Sequence, residues 1–336
     1  MKRTLLNLLL FFLAVLCVPL TAFIGPGAVD GPPQDGSSSS GQSQGEENPV
    51  KEETFKLLRT GTGEVLELSA SDYIKGVVAA EIPMDYHTEA IKAQAVAAHT
   101  YALRMRDVQK SSEDSSLKGA DFSDDPSRYQ AYVSREEFDK MYGDRAEEYW
   151  QRCSDAVDEV MGKVMLYQDQ PIAAAFHSTS SGKTESAEVV WGNAFAYLVP
   201  VDSKPDENAP SYQSEKKLTF AEVEAALKKA YPDIVLSGEK SALFQVQKTS
   251  ESGTVTEIKV GSMTLSGVQL RTALSLSSAN FAVSYQETED SYVFTTKGLG
   301  HGVGMSQYGA NEMAAAGKTY EEILKHYYTG IELADL

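Results

Sequence analysis

The stretch Ser69-Ala70-Ser71-Asp72-Tyr73-Ile74-Lys75-Gly76-Val77-Val78-Ala79-Ala80-Glu81-Ile82-Pro83 decides how this chain reads. Hydroxyls at Ser69 to Ser71 can cap a helix that starts near Asp72. Pro83 disfavours helical geometry in the residue before it, so the helix should stop at or before Ile82. Glu81 then falls in the last turn, with apolar immediate neighbours. A surface helix has no use for a carboxylate placed this way unless that face looks into a cleft. Desolvation and the negative end of the helix dipole would both raise its pKa. A carboxylic acid that keeps its proton near neutral pH suits general-acid cleavage of a glycosidic bond. The plain alternative is a partly exposed Glu at a helix end, in an ordinary ion pair.

Working outward, Phe55–Thr60 and Glu64–Leu68 flank Gly61-Thr62-Gly63 and read as a β-hairpin. Downstream, Thr88 is the expected cap of a second helix. Ile91, Ala95, Ala98, Ala102 and Met105 recur there at helical spacing, with small residues that allow close packing. Residues 109–128 are rich in Ser and Asp and read as a surface loop. Arg135–Tyr142 and Arg145–Glu159 read as helices, Val164–Leu166 and Pro171–Phe176 as strands around an Asp169-Gln170 turn. Lys204–Ser211 is polar with two prolines and reads as a linker. Beyond it come a helix (Phe220–Ala230) and strands (Leu243–Lys248, Val255–Val260), then the Gly-rich Lys297–Gly304 and closing helices at Ser306–Ala316 and Tyr320–Tyr328. The fold class is α+β. A mixed helix/strand domain (51–203 and 288–336) carries an inserted smaller α+β subdomain (204–287).

The first 50 residues stand apart. Lys2 and Arg3 precede an uncharged run from Leu5 to Ile24, long enough to cross a hydrocarbon core as a helix. The basic pair keeps the N-terminus cytoplasmic, which makes the chain a single-pass protein of the cell membrane with its bulk outside. Residues 1–24 read as a signal anchor, with a cleaved signal peptide as the alternative; no clean small-residue cleavage site follows the run. Gly, Pro and Ser make up 15 of the 26 residues from 25 to 50, a flexible tether.

Composition narrows the function classes. The chain has 336 residues, 30 Lys+Arg against 48 Asp+Glu and a net charge of −18, so it lacks the basic stripe a nucleic-acid binder needs. Two Cys exclude a disulfide framework and a four-thiolate zinc site. Cys153 reads as a small buried residue. H-E-x-x-H, P-loop and G-x-G-x-x-G signatures are missing, and Gly304–Gly309 misses nucleophile-elbow spacing by one residue. His177 and His301 each follow an apolar run within a Ser/Gly-rich segment. They read either as sugar-recognition groups at strand ends or as structurally satisfied turn residues. His99, mid-helix, reads as a satisfied core histidine.

Three motifs carry a family resemblance. They are Tyr73–Pro83 with Ala90-Ile91-Lys92-Ala93-Gln94-Ala95; Phe176-His177-Ser178 through Gly182 to Val190-Trp191-Gly192; and Gly300-His301-Gly302-Val303-Gly304-Met305-Ser306-Gln307-Tyr308-Gly309-Ala310. At these residues the chain resembles the stage II sporulation protein D family, whose wider membership includes amidase-enhancer proteins. The resemblance covers essentially all of the exported part.

It implies a lytic transglycosylase of spore-former peptidoglycan with Glu81 as the catalytic residue. It implies action on glycan strands stripped of their peptides by a partner amidase, within a membrane-scaffolded complex that remodels septal wall during engulfment. Gln94, His177, Ser178, His301, Ser306 and Gln307 would bind and orient the sugars. Ordinary glycosidases need two carboxylates; a lytic transglycosylase manages with one, because the muramyl C6 hydroxyl replaces the attacking water. A non-cutting module that activates the amidase is the alternative.

Three departures from the family pattern stand out. His99 replaces an Arg, Ser181 replaces the first Gly of a Gly pair, and Ser123–Tyr129 offers no ligand set where some members hold zinc. No metal and no cofactor are expected.

Overall fold

The computed structural model describes residues 53–336. The expected anchor (1–24) and tether (25–50) lie outside the described residues. Among the described ones, no helix is long and apolar enough to cross a membrane.

The chain opens with the expected hairpin, β1 (Thr54–Arg59) antiparallel to β2 (Glu64–Ser69). Ser69 then caps α1 (Ala70–Glu81), its Oγ accepting from the Asp72 amide at 3.1 Å, and the chain turns extended at Ile82. The cap of α2 (Thr88–Ser111) is His87, not Thr88. Backbone geometry stays extended through His87, so its Nδ1 is the group in reach of the Glu89 amide, at 3.2 Å. Ala90, Ala93, Ala97 and Ala98 of α2 are wholly buried, and the small side chains let neighbouring helices approach closely.

Residues 109–128 are more than a surface loop. They contain β3 (Phe122–Ser123), which pairs parallel to β1 because Phe122 buries its ring against Phe55 and Tyr73. Next come α3 (Arg135–Tyr142), closed by a capping box from Ser134 and Glu137, and the amphipathic α4 (Ala146–Val160). The expected Pro171–Phe176 strand divides. β4 (Lys163–Tyr167) pairs with β5 (Gln170–Pro171), whereas β6 (Phe176–His177) belongs to another sheet, with Ile172–Ala175 buried between them. α5 (Ala187–Trp191) follows.

The Lys204–Ser211 stretch is not a linker. It forms a 3-10 turn over Lys204–Asn208 whose Asp206 is fully buried. After it come β7 (Gln213–Thr219), α6 (Phe220–Ala230), β8 (Phe244–Thr249), β9 (Val255–Val260), β10 (Met263–Leu265), α7 (Gly267–Leu274), β11 (Phe281–Gln286) and β12 (Ser291–Lys297). These elements bury their own cluster, including Val223, Leu227, Ile258, Leu270, Tyr292 and Phe294. That cluster reaches Phe294, past residue 287, because β12 pairs between β7 and β11. The chain rejoins the larger cluster through β13 (Met305–Ser306), α8 (Gln307–Ala315), α9 (Tyr320–Tyr327) and β14 (Glu332–Asp335), the last pairing with β4.

One glycine makes the closure possible. Gly304 has φ +70°, and a Cβ there would lie 2.0 Å from the Ala175 carbonyl oxygen. Only glycine lets β13 lie parallel to β6, with Met305 opposite Phe176 and Ser306 opposite His177.

Candidate active site

Glu81 ends α1 with its side chain turned into the protein, 6% exposed. The 129–133 segment lies against α1 at Gly76, where a Cβ would meet the Tyr132 ring at 2.2 Å and the Val133 carbonyl oxygen at 2.7 Å. Val133 N–H donates to the Gly76 carbonyl at 3.2 Å. Two residues earlier, Ala131 N–H donates to Glu81 Oε1 at 2.8 Å. Burial pushes the Glu81 carboxyl up to about 7, against the downward pull of that amide. It opens on a small cavity walled by Tyr101, Tyr129, Gln130, Ala174, Ala175, Phe176 and His301. Among the described residues, Glu81 is the one carboxylate in that wall.

The other expected site residues divide into two groups. Gln94 and Gln307 are buried beneath Glu81. Gln307 Nε2 donates to the Glu81 backbone carbonyl at 3.0 Å and to Gln94 Oε1 at 3.2 Å, tying α1, α2 and α8 together. Neither lines the cavity. Ser306 is also buried and caps α8, accepting from Gly309 N–H at 3.2 Å and donating to Asp206 Oδ1 at 2.9 Å. The Ser178 carbonyl accepts from Tyr308 N–H at 3.0 Å.

His177 and His301 come together, ring centroids 5.7 Å apart, with Trp191 5.4 Å from His301. Val303 holds both: its N–H donates to His301 Nδ1 at 3.1 Å, and its carbonyl lies 3.1 Å from His177 Nδ1. These bonds put the proton on Nε2 of His301 and on Nδ1 of His177. Burial lowers His177 to about 4 and His301 well below the usual imidazole range, so both stay neutral in water near pH 7. Of the two, only His301 lines the Glu81 cavity.

Against this geometry, the comparisons with known proteins are specific. Residues 59–167 match the family model described as Stage II sporulation protein (SpoIID). Stage II sporulation protein D of Bacillus subtilis (strain 168) is 37% identical over 282 residues, covering 84% of this chain and 79% of that protein. That of Bacillus amyloliquefaciens is 32% identical over 330 residues, covering 98% and 93%. The chain belongs to the stage II sporulation protein D family. It is also 28% identical over 310 residues to a Bacillus subtilis protein named Amidase enhancer, covering 77% of this chain and 40% of that protein.

The departures from the family pattern have local explanations. His99 is buried on α2, its Nε2 2.9 Å from Glu53 Oε2, and Arg106 Nη2 reaches the other oxygen of the same carboxylate at 3.0 Å. Ser181 takes no left-handed backbone conformation, so losing a Gly there costs no strain; the positive φ falls on Gly182. Among the described residues, no group of three or more His, Cys, Asp or Glu is placed to hold a metal ion.

Asp206 is the buried group that the linker expectation missed. It accepts from Ser180 N–H at 2.8 Å, Ser203 Oγ at 3.1 Å and Ser306 Oγ, and burial raises its pKa. Ser203 three residues before Asp206, with Pro205 between, is a helix-start signature and could have revealed it. The donation from Ala131 carries no such local signal.

Proposed function

We propose that the protein is a membrane-anchored lytic transglycosylase that cuts peptide-free peptidoglycan strands to 1,6-anhydro-muramyl products during sporulation, in the septal wall remodelling of engulfment. The observation that carries this reading is Glu81, a single carboxylate raised to about 7 at the wall of a cavity.

The protonated Glu81 donates to the glycosidic oxygen as the C1–O bond breaks. Ala131 N–H stabilises the carboxylate that results. The muramyl C6 hydroxyl oxygen closes onto C1, and its proton passes to Glu81, which regains the acid form. Tyr101, Tyr129 and Phe176 make the cavity wall largely apolar, which disfavours a competing water. His301, held neutral by burial, lines the same cavity. The test is mass spectrometry of peptide-free glycan after incubation with the full chain. Anhydro ends are expected, and Glu81→Ala should abolish them; equal cleavage by Glu81→Ala sinks the assignment.

Similarity to the protein named Amidase enhancer favours a second role, in which this domain binds stripped glycan and activates a partner amidase on a membrane scaffold. If that were the sole role, the full chain would leave purified glycan intact yet raise the amidase rate. Release of the chain from sporangial membranes by detergent, and not by salt, would support the anchor.

A further inference from the structure

A second cleft adjoins the Glu81 cavity, and His301 lines both. One wall comes from the 179–185 segment after β6, the other from Ser252, Asn280 and Lys297 of the 213–297 elements. The seam is built: Asn280 Nδ2 donates to the Ser252 carbonyl at 3.0 Å, and Ser252 Oγ donates to the Thr184 carbonyl at 2.7 Å.

The charges in this cleft run against the chain as a whole. Residues 51–336 hold 28 Lys+Arg against 44 Asp+Glu. Among the described residues, the lining of this cleft nevertheless includes two lysines, Lys183 and Lys297, against one acidic residue, Glu185. Glu185 is buried, and its two oxygens are taken by Ser186 N–H and Ser250 Oγ. Lys297 is exposed and makes no ion pair among the described residues. Lys183 holds Glu251, whose side chain is 81% exposed. An ion pair that exposed is worth little and exchanges readily. The Glu251 carboxylate therefore marks where another carboxylate can bind.

We propose that this cleft is a subsite that reads the free lactyl carboxylate of a muramyl residue through Lys183 and Lys297, with Glu251 as an exchangeable stand-in. The inference rests on the glycan reading above and adds a physical basis for choosing stripped strands. A stem peptide turns that carboxylate into a neutral amide, which removes the charge the two lysines would meet and adds bulk at the seam.

The test is binding, measured by calorimetry with the full chain carrying Glu81→Ala so that the ligand stays intact. The probes are peptide-free glycan oligosaccharides and the same oligosaccharides with every lactyl carboxylate converted to its methylamide. The free acid should bind roughly tenfold tighter, the worth of one hydrogen bond to a charged group. Lys183→Met and Lys297→Met should each reduce that preference while leaving affinity for the amide form unchanged, which also shows that they fold. Glu251→Gln should tighten binding of the acid form a few-fold. Equal binding of acid and amide by the parent chain, or an unchanged preference in both Lys variants, overturns the proposal. An intact preference together with no anhydro product from the wild-type chain would sink only the transglycosylase reading.

Discussion

The side-chain amide of Gln307 donates to the backbone carbonyl of Glu81 at 3.0 Å, across 226 positions of sequence. The last residue of α1 is thereby held by the first residue of α8. A helix C-terminus leaves its final carbonyls without partners in the helix, and here a buried amide from another element supplies one.

Replacing Gln307 should therefore be costly. Gln307→Leu removes the donor and strands both the Glu81 carbonyl and Gln94 Oε1 in a buried site. A loss of about 2–4 kcal/mol is expected, read as a lower denaturation midpoint with an unchanged slope.

The pH–rate profile should fall on its alkaline side. A general acid works only while it holds its proton, and Glu81 loses its proton near pH 7. Release of anhydro ends from peptide-free glycan should decline with an apparent pKa of about 7. A flat rate from pH 6 to 9 would contradict the assignment of Glu81 as the acid.

Glu81 should also cost stability, with a definite sign. Its folded pKa is raised from 4.5 to about 7. Below pH 4.5 the group is neutral in both states and costs nothing. As pH rises from 4.5 to 7 the unfolded chain loses the proton first, so stability falls, and above 7 the penalty levels at roughly 3 kcal/mol. Glu81→Gln keeps an acceptor for Ala131 N–H and removes the charge. Its melting temperature should match wild type at pH 4 and exceed it at pH 8.

Gly76→Ala tests how the acid is held. Its Cβ would fall 2.2 Å from the Tyr132 ring and 2.7 Å from the Val133 carbonyl oxygen, so the 129–133 segment must move. A loss of about 1–3 kcal/mol is expected. Any displacement of Ala131 N–H removes the one interaction lowering the Glu81 pKa, so the alkaline limb of the rate profile should shift upward.

Cys153 should be inert in the folded chain. It is fully buried, and burial pushes its thiol up to about 12. Iodoacetamide at pH 8 should label it only after denaturant is added; rapid labelling of native protein would place it at the surface.

Local signals made much of the framework legible. The capping hydroxyl at Ser69 and the proline after Ile82 set both ends of α1, and Phe220–Ala230 forms as read, its start closed by a capping box from Thr219 and Glu222. Glu81 stood out because a charge among apolar neighbours is a conflict visible within a few residues. The failures came where a short segment is claimed by distant partners. Lys204–Ser211 reads as a linker on composition, yet Asp206 is drawn inside by donors from Ser180 and Ser306. Pro171–Phe176 reads as one strand, yet its two ends pair with different sheets.

The sequence by itself determined the longer helices, the hairpin, the single carboxylate and the motifs that place the chain in its family, but not the short helices Ala187–Trp191 and Gly267–Leu274. The features it determined depend on side-chain period, caps and turn residues within a span of a few positions. Only the tertiary structure decided that Ala131 N–H meets Glu81, that Gln94 and Gln307 lie beneath the cavity, and that Val303 holds His177 and His301 in complementary tautomers. Apart from the Val303–His301 bond, which spans two residues, each of these is a contact between segments tens to hundreds of residues apart. Its geometry exists only once packing has closed the chain on itself, and no local pattern encodes it.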